Sequence, residues 1–242
     1  MSLFRVKICG ITSLDSLRAA VESGVDAIGV NFYSGSTRYL DAASAKEIVA
    51  AVPSGVAKVG VFVNASIDDM RRAIDSLGLD FIQLHGDETP ETIASLGGVA
   101  VIRAIRYGVE GVDPAVRFLG ECRSRGALPS ALLIDADAQD SFGGSGRTVD
   151  WVRFADQRDR LAGIPLILAG GLNPWNVAQA IAIVRPDAVD VAGGVESSPG
   201  VKDAEKTAAF NAAAQMALAA LQGTPPPGSP KATAQAGRGP PP

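Results

Sequence analysis

Short apolar runs alternate with longer amphipathic stretches along most of this chain. Eight runs of four to seven residues, β-branched or Leu-rich, predict strands at Phe4–Cys9, Ala27–Asn31, Lys58–Val63, Phe81–Leu84, Val99–Ile105, Ala131–Asp135, Pro165–Ala169 and Ala188–Val191. Between them the apolar positions recur at helical spacing. A capping serine at Ser13 opens the first helix, and Asp41–Ala51 and Ile67–Leu77 follow. Pro90–Leu96, Pro114–Arg125 and Pro174–Val184 each begin with a proline, which suits a first helical turn. Asp150–Phe154 begins the helix after the sixth strand, and the Ala-rich Asp203–Leu221 closes the series. Parallel strands need crossovers of this length, so eight strand–helix units predict a parallel sheet closed as a TIM (β/α)8 barrel. An open doubly wound sheet would want G-x-G-x-x-G after its first strand, and Cys9-Gly10-Ile11-Thr12 does not supply it.

The pattern stops at the end. From Gly223 to Pro242 the chain reads GTPPPGSPKATAQAGRGPPP, too poor in apolar residues to offset the entropy of ordering. The expected organisation is one barrel domain over residues 1–222 and a disordered tail over 223–242. A polyproline ligand for a partner domain is the other reading of that tail.

Composition narrows the function. Of 242 residues 47% are hydrophobic and 20% charged, which supports a sizeable core. A net charge of −4 argues against a nucleic-acid surface. Two cysteines make no disulfide framework, and a single histidine excludes multi-histidine metal sites. No secretory leader and no membrane-length apolar run is evident. The expectation is a cytoplasmic protein without metal or cofactor, a monomer or homodimer, binding neither nucleic acid nor membrane.

Barrel enzymes carry their chemistry at the carboxyl ends of the strands. In the first strand Phe4, Val6 and Ile8 suit the helix layer, which turns Arg5, Lys7 and Cys9 inward. Cys9 then stands at the open end with Lys7 one layer below, where a cation favours thiolate and suits a base or nucleophile. A small packed core cysteine is the other reading. Asp135 ends the sixth apolar run on the inward side, as a catalytic carboxyl or as a turn residue, with Asp137 as its substitute. A base that takes a carbon-bound proton and an acid that protonates an oxygen together isomerise a sugar without metal or nicotinamide.

Glycine pairs close three loops: Gly143-Gly144 after the sixth strand, Gly170-Gly171 after the seventh and Gly193-Gly194 after the eighth. The last two positions suit a phosphate, which bare backbone N–H groups can approach closely. Arg38, in the loop after the second strand, is placed either to clamp a carboxylate or to lie in solvent. His85 ends the fourth strand on the side of Gln83, lining the pocket or serving structure. Cys122, Trp151 and Trp175 read as packing residues.

Taken together, six ordered stretches resemble the phosphoribosylanthranilate isomerases of tryptophan biosynthesis. They are Val6–Thr12, Gly60–Asn64, Gln83–Gly86, Gly143–Trp151, Ala169–Pro174 and Val195–Asp203. The resemblance implies a TIM barrel acting on a phosphorylated sugar, N-(5-phosphoribosyl)anthranilate. It implies an Amadori rearrangement to 1-(2-carboxyphenylamino)-1-deoxyribulose 5-phosphate. It places the general base on Cys9 and the general acid on Asp135. Arg38 would hold the anthranilate carboxylate, Gly170, Gly171, Gly193 and Gly194 the phosphate, and Asp190 would orient the substrate. Lys7, His85, Gly143 and Gly144 complete the expected substrate-binding set. The chain departs from the family pattern at Thr37, at the polar Asn31 ending the second strand, and at Ala192 where serine is frequent. Two rivals remain: a non-catalytic phosphate-binding barrel or tail-recruiting scaffold, and a related sugar-phosphate isomerase of broader range. A histidine-pathway isomerase relies on two aspartates, which a cysteine ending the first strand disfavours.

Overall fold

A computed structural model describes residues 3–136, 150–161 and 163–222. Gly143, Gly144, the substitute Asp137 and the tail 223–242 lie outside the described residues. Eight strands run β1 (Val6–Cys9), β2 (Ala27–Asn31), β3 (Ala57–Phe62), β4 (Phe81–Leu84), β5 (Ala100–Tyr107), β6 (Ala131–Ala136), β7 (Leu166–Leu168) and β8 (Ala188–Val191). Each pairs in parallel with its neighbours and β8 returns to β1, so the sheet closes into the expected barrel. The helices are α1 (Leu14–Glu22), α2 (Ala42–Ala50), α3 (Ile67–Leu77), α4 (Pro90–Leu96), α5 (Asp113–Ser124), α6 (Trp151–Ala155), α7 (Val177–Val184) and α8 (Ala204–Gln222). A small antiparallel hairpin, β9 (Glu196–Ser198) and β10 (Val201–Lys202), follows β8 and was not expected from the sequence.

The helix starts follow from their caps. Side-chain oxygens of Ser13, Asp41, Ser66 and Asp150 each accept from the backbone N–H three residues on, satisfying a donor the helix leaves unpaired. Alternation divides each strand between two cores. Ile8, Ile28, Val30, Ile82, Leu132, Ile134 and Val189 pack outward against the helices. Val59, Phe81, Ile102, Leu133 and Ile167 fill the barrel interior. Toward the carboxyl ends the interior turns polar, with Lys7, Gln83, Asp135 and Asp190 all buried.

Three expectations are corrected. Phe4 belongs to the inner core, edge-to-face with Phe81 at 5.6 Å, because β1 begins only at Val6 and strand alternation does not reach it. Pro174 does not start α7. Asn173 Oδ1 accepts from Trp175 N and Asn176 N, and the turn this closes delays the helix to Val177. Trp175 is therefore 80% exposed and is not a packing residue.

Candidate active site

The carboxyl ends of seven strands surround a cavity of about 340 Å3, within the usual range for small-molecule sites. Cys9, Arg38, His85, Asp135, Asp190 and the glycines 170, 171, 193 and 194 all line it. Lys7, expected among the substrate-binding residues, lies beneath this lining. It is wholly buried, with Nζ 2.9 Å from Asp190 Oδ1.

Cys9 is partly exposed to the cavity. Burial pushes its thiol above the ordinary cysteine value, and the Lys7 ammonium opposes this without overcoming it. In Lys7 the balance falls the other way. Burial would lower the ammonium, but Asp190 and Cys9 hold it above the ordinary lysine value. Cys9 ends β1 and Gly10 follows at φ +74°, a left-handed conformation that favours glycine. A side chain on Gly10 would also run into Arg38 Cδ, so the glycine lets the arginine lie across the end of the strand.

Arg38 reaches the site through a loop organised by Asn31, the residue that departs from the family pattern. Asn31 Oδ1 accepts from Tyr33 N at 2.8 Å and its amide donates to Ser36 Oγ, which in turn accepts from Arg38 N. The guanidinium then meets Glu196 in a two-pronged pair, Nε–Oε1 and Nη2–Oε2 both 2.7 Å. Glu196 Oε1 also accepts from Lys202 Nζ at 2.7 Å, and Lys202 donates to Ala192 O. Glu196 and Lys202 belong to the unexpected hairpin and went unnoticed in the sequence. Their only signal is the Val195–Asp203 stretch, which names the segment but not the partners.

Across the cavity, His85 Nε2 stands 3.3 Å from Asp135 Oδ2 but out of line for a hydrogen bond. Its Nδ1 is 3.1 Å from Gln83 Nε2. The backbone around His85 is fixed by Glu88, another residue that no local sequence pattern marks. Its carboxylate accepts from Asn64 N and Gly86 N and pairs with Arg103 at 2.7 Å.

The glycine loops meet one another. A side chain on Gly194 would collide with Leu172 O, so the chain after β8 lies directly on the chain after β7. Asn176 tightens the β7 side, accepting from Asn173 N at 2.8 Å and donating to Gly171 O at 2.9 Å. The site thus has a thiol and a carboxyl on different walls, and a glycine-lined bay with the Arg38 guanidinium beside Gly193. Among the described residues no cluster of three metal-binding side chains is found, and no helix is long and apolar enough to cross a membrane.

Comparison with known proteins identifies the family. The family model for N-(5'-phosphoribosyl)anthranilate (PRA) isomerase matches residues 6–213. N-(5'-phosphoribosyl)anthranilate isomerase of Acidithiobacillus ferrooxidans is 45% identical over 211 residues, covering 87% of this chain and 97% of that protein. The enzyme of the same name from Pseudomonas syringae pv. syringae is 46% identical over 214 residues, 88% of this chain and 98% of its own. The crystal structure of the Thermotoga maritima phosphoribosylanthranilate isomerase superposes with a TM-score of 0.78 at 36% identity, covering 88% of this chain and all of that one. A solved isomerase in complex with reduced 1-(o-carboxyphenylamino)-1-deoxyribulose 5-phosphate gives 0.75, also at 36% identity, with the same coverage. With a closed eightfold barrel, and with relatives this similar along nearly their full length, the chain belongs to the N-(5'-phosphoribosyl)anthranilate isomerase family.

Proposed function

We propose that this chain converts N-(5-phosphoribosyl)anthranilate to 1-(2-carboxyphenylamino)-1-deoxyribulose 5-phosphate, with Cys9 as general base and Asp135 as general acid. The observation that carries the reading is that β1 and β6 deliver a thiol and a carboxyl into one cavity, which also holds a glycine bay and an arginine. In the first step the Asp135 carboxyl gives its proton to the furanose ring oxygen and the C1′–O bond breaks, leaving an iminium. The Cys9 thiolate then removes the proton from C2′, and the electron pair neutralises the nitrogen to give an enolamine. Protonation at C1′ and loss of the enol proton yield the ketone. Neither redox change nor group transfer is involved.

The phosphate fits the bay of Gly170, Gly171, Gly193 and Gly194, where backbone N–H groups can approach without side chains between. Arg38 suits the anthranilate carboxylate. Glu196 occupies its Nε and Nη2, which leaves the Nη1 edge for a second, charge-assisted contact. Asp190 and His85 complete the walls beside Cys9 and Asp135.

The test is turnover of freshly prepared phosphoribosylanthranilate, followed by loss of anthranilate-type fluorescence. Wild type is expected to turn over, and Cys9→Ser and Asp135→Asn each to lose at least about 10²-fold in kcat, the lower edge for removing a general acid or base. Wild-type rates in both folded variants would overturn the assignment. An inert wild type that still binds the product phosphate would point to a non-catalytic barrel.

A further inference from the structure

Lys7 is a fully buried ammonium that touches neither the cavity nor solvent. Taking such a charge out of water is costly, and one carboxylate offsets it only in good geometry. Its hydrogen bond to Asp190 Oδ1 uses one of three N–H donors. The neighbouring strand β2 explains where the rest of the ammonium faces. Gly29, on β2, is the register partner of Cys9, two residues along from Ala27, the partner of Lys7. Its φ is not in the left-handed region, so the backbone does not require glycine there. Space does. A Cβ at this position would stand 2.8 Å from Cys9 Sγ, 3.0 Å from Lys7 Cε and 3.1 Å from Lys7 Nζ. Sulfur and ammonium therefore share one slot and lie within about 6 Å of each other, close enough for the cation to favour the ionised thiol.

Building on the reading of Cys9 as base, we propose that Lys7 is a positioning residue that acts through Cys9. Asp190 anchors it, Gly29 gives it room, and it holds the sulfur in place and stabilises the thiolate that takes the C2′ proton. The charges around Cys9 fit that task. Lys7 comes from β1, Asp190 from β8, Lys202 from β10 and Arg38 from the loop after β2; Glu196 backs the last two, and His85 and Asp135 stand on the far wall. Counted formally, Lys7, Arg38 and Lys202 against Asp190 and Glu196 leave one positive charge, which a Cys9 thiolate neutralises.

The experiment reads the Cys9 thiol directly. Thiolate absorbance and iodoacetamide alkylation are followed against pH in the full-length protein, with Cys122→Ser as the common background. In Lys7→Met/Asp190→Asn, which removes the pair together, thiolate formation should move to higher pH by about one unit or more. Asp190→Asn alone removes the anion and leaves the Cys9 thiolate as the partner that holds the Lys7 ammonium, so thiolate formation should move to lower pH. This opposite sign is not expected of general damage to the site. Gly29→Ala, with every charge intact, should lower kcat while KM changes less than about threefold, because the displaced sulfur sits off line for the proton it must take. An unmoved thiol titration in the double variant, or no opposite shift in Asp190→Asn, overturns the proposal. So does a rise in KM at unchanged kcat in Gly29→Ala. The titration needs no substrate. A wild type that fails to isomerise would thus remove the function reading while leaving the Lys7–Cys9 coupling measurable, and active wild type with no coupling would remove this inference alone.

Discussion

Glu196 is the single residue on which most of the cavity's charge balance turns. Burial alone would raise its carboxyl. The Arg38 and Lys202 contacts overcome that and hold it below the ordinary glutamate value. A carboxyl lowered in the folded state contributes stability that is complete above its unfolded value, about 4.3, and disappears as the pH falls through the lower, folded value. Thermal denaturation between about pH 3 and pH 7 should therefore show part of the acid destabilisation vanish in Glu196→Gln. At neutral pH that variant should be less stable by roughly 3 kcal/mol, since the buried Lys202 and the half-buried Arg38 lose their charged partner. An unchanged acid slope would contradict the role given to this carboxylate. Residues of this kind were invisible in the sequence for a plain reason: Arg38 and Glu196 are 158 positions apart, and no local pattern links them. Cys9 and Asp135 were legible because each ends an apolar run, and alternation alone fixes which way such a residue points. Gly29 sits in the middle of a run, where nothing local marks it as a slot.

At the level of the element, the strands were the most readable part. β2, β4 and β8 fall where the apolar runs do, since a strand buried on both faces is little else than its run. α3 and α4 also match, bounded by a Ser cap and a left-handed glycine in one case and by an N-terminal proline in the other. The start of α7 was misplaced because Asn173 captures the N–H groups that a helix beginning at Pro174 would present. The β9–β10 hairpin escaped because strands of three and two residues carry no period. A further device appears only in three dimensions. Asp26, Asp80 and Asp187 each stand just before an even-numbered strand, and each accepts a backbone N–H from the start of the preceding one. These donors are Arg5 and Val6, Lys58, and Leu166 respectively. Such clamps tie neighbouring strands together at the end of the barrel away from the cavity. Asp187→Ala strands the Leu166 N–H and should cost about 1–3 kcal/mol in urea denaturation, with kcat for phosphoribosylanthranilate unchanged. A loss of activity without a loss of stability would be the wrong sign for a clamp.

For the molecule as a whole, closure decides what is needed. The ring of pairings from β1 to β8 and back is complete by Val191, and the hairpin and α8 finish the layer around it. α8 packs against both α1 and α7, so it bridges the first and last units of the barrel. The family match ends at residue 213, inside α8. Among the described residues, every one that lines the cavity and every charge named around Cys9 lies before Asp203. The segment from Gly223 onward, with its prolines, glycines and few apolar side chains, has little with which to add to this core. Truncation after Gln222 is therefore expected to leave kcat and KM unchanged and to move Tm by less than about 2 °C, the smallest shift that 1 kcal/mol produces in a chain of this size. Scanning calorimetry and the fluorescence assay on the two lengths decide it. A lower Tm in the shortened chain would show that the last twenty residues dock on the barrel, and a raised KM would place that docking at the mouth.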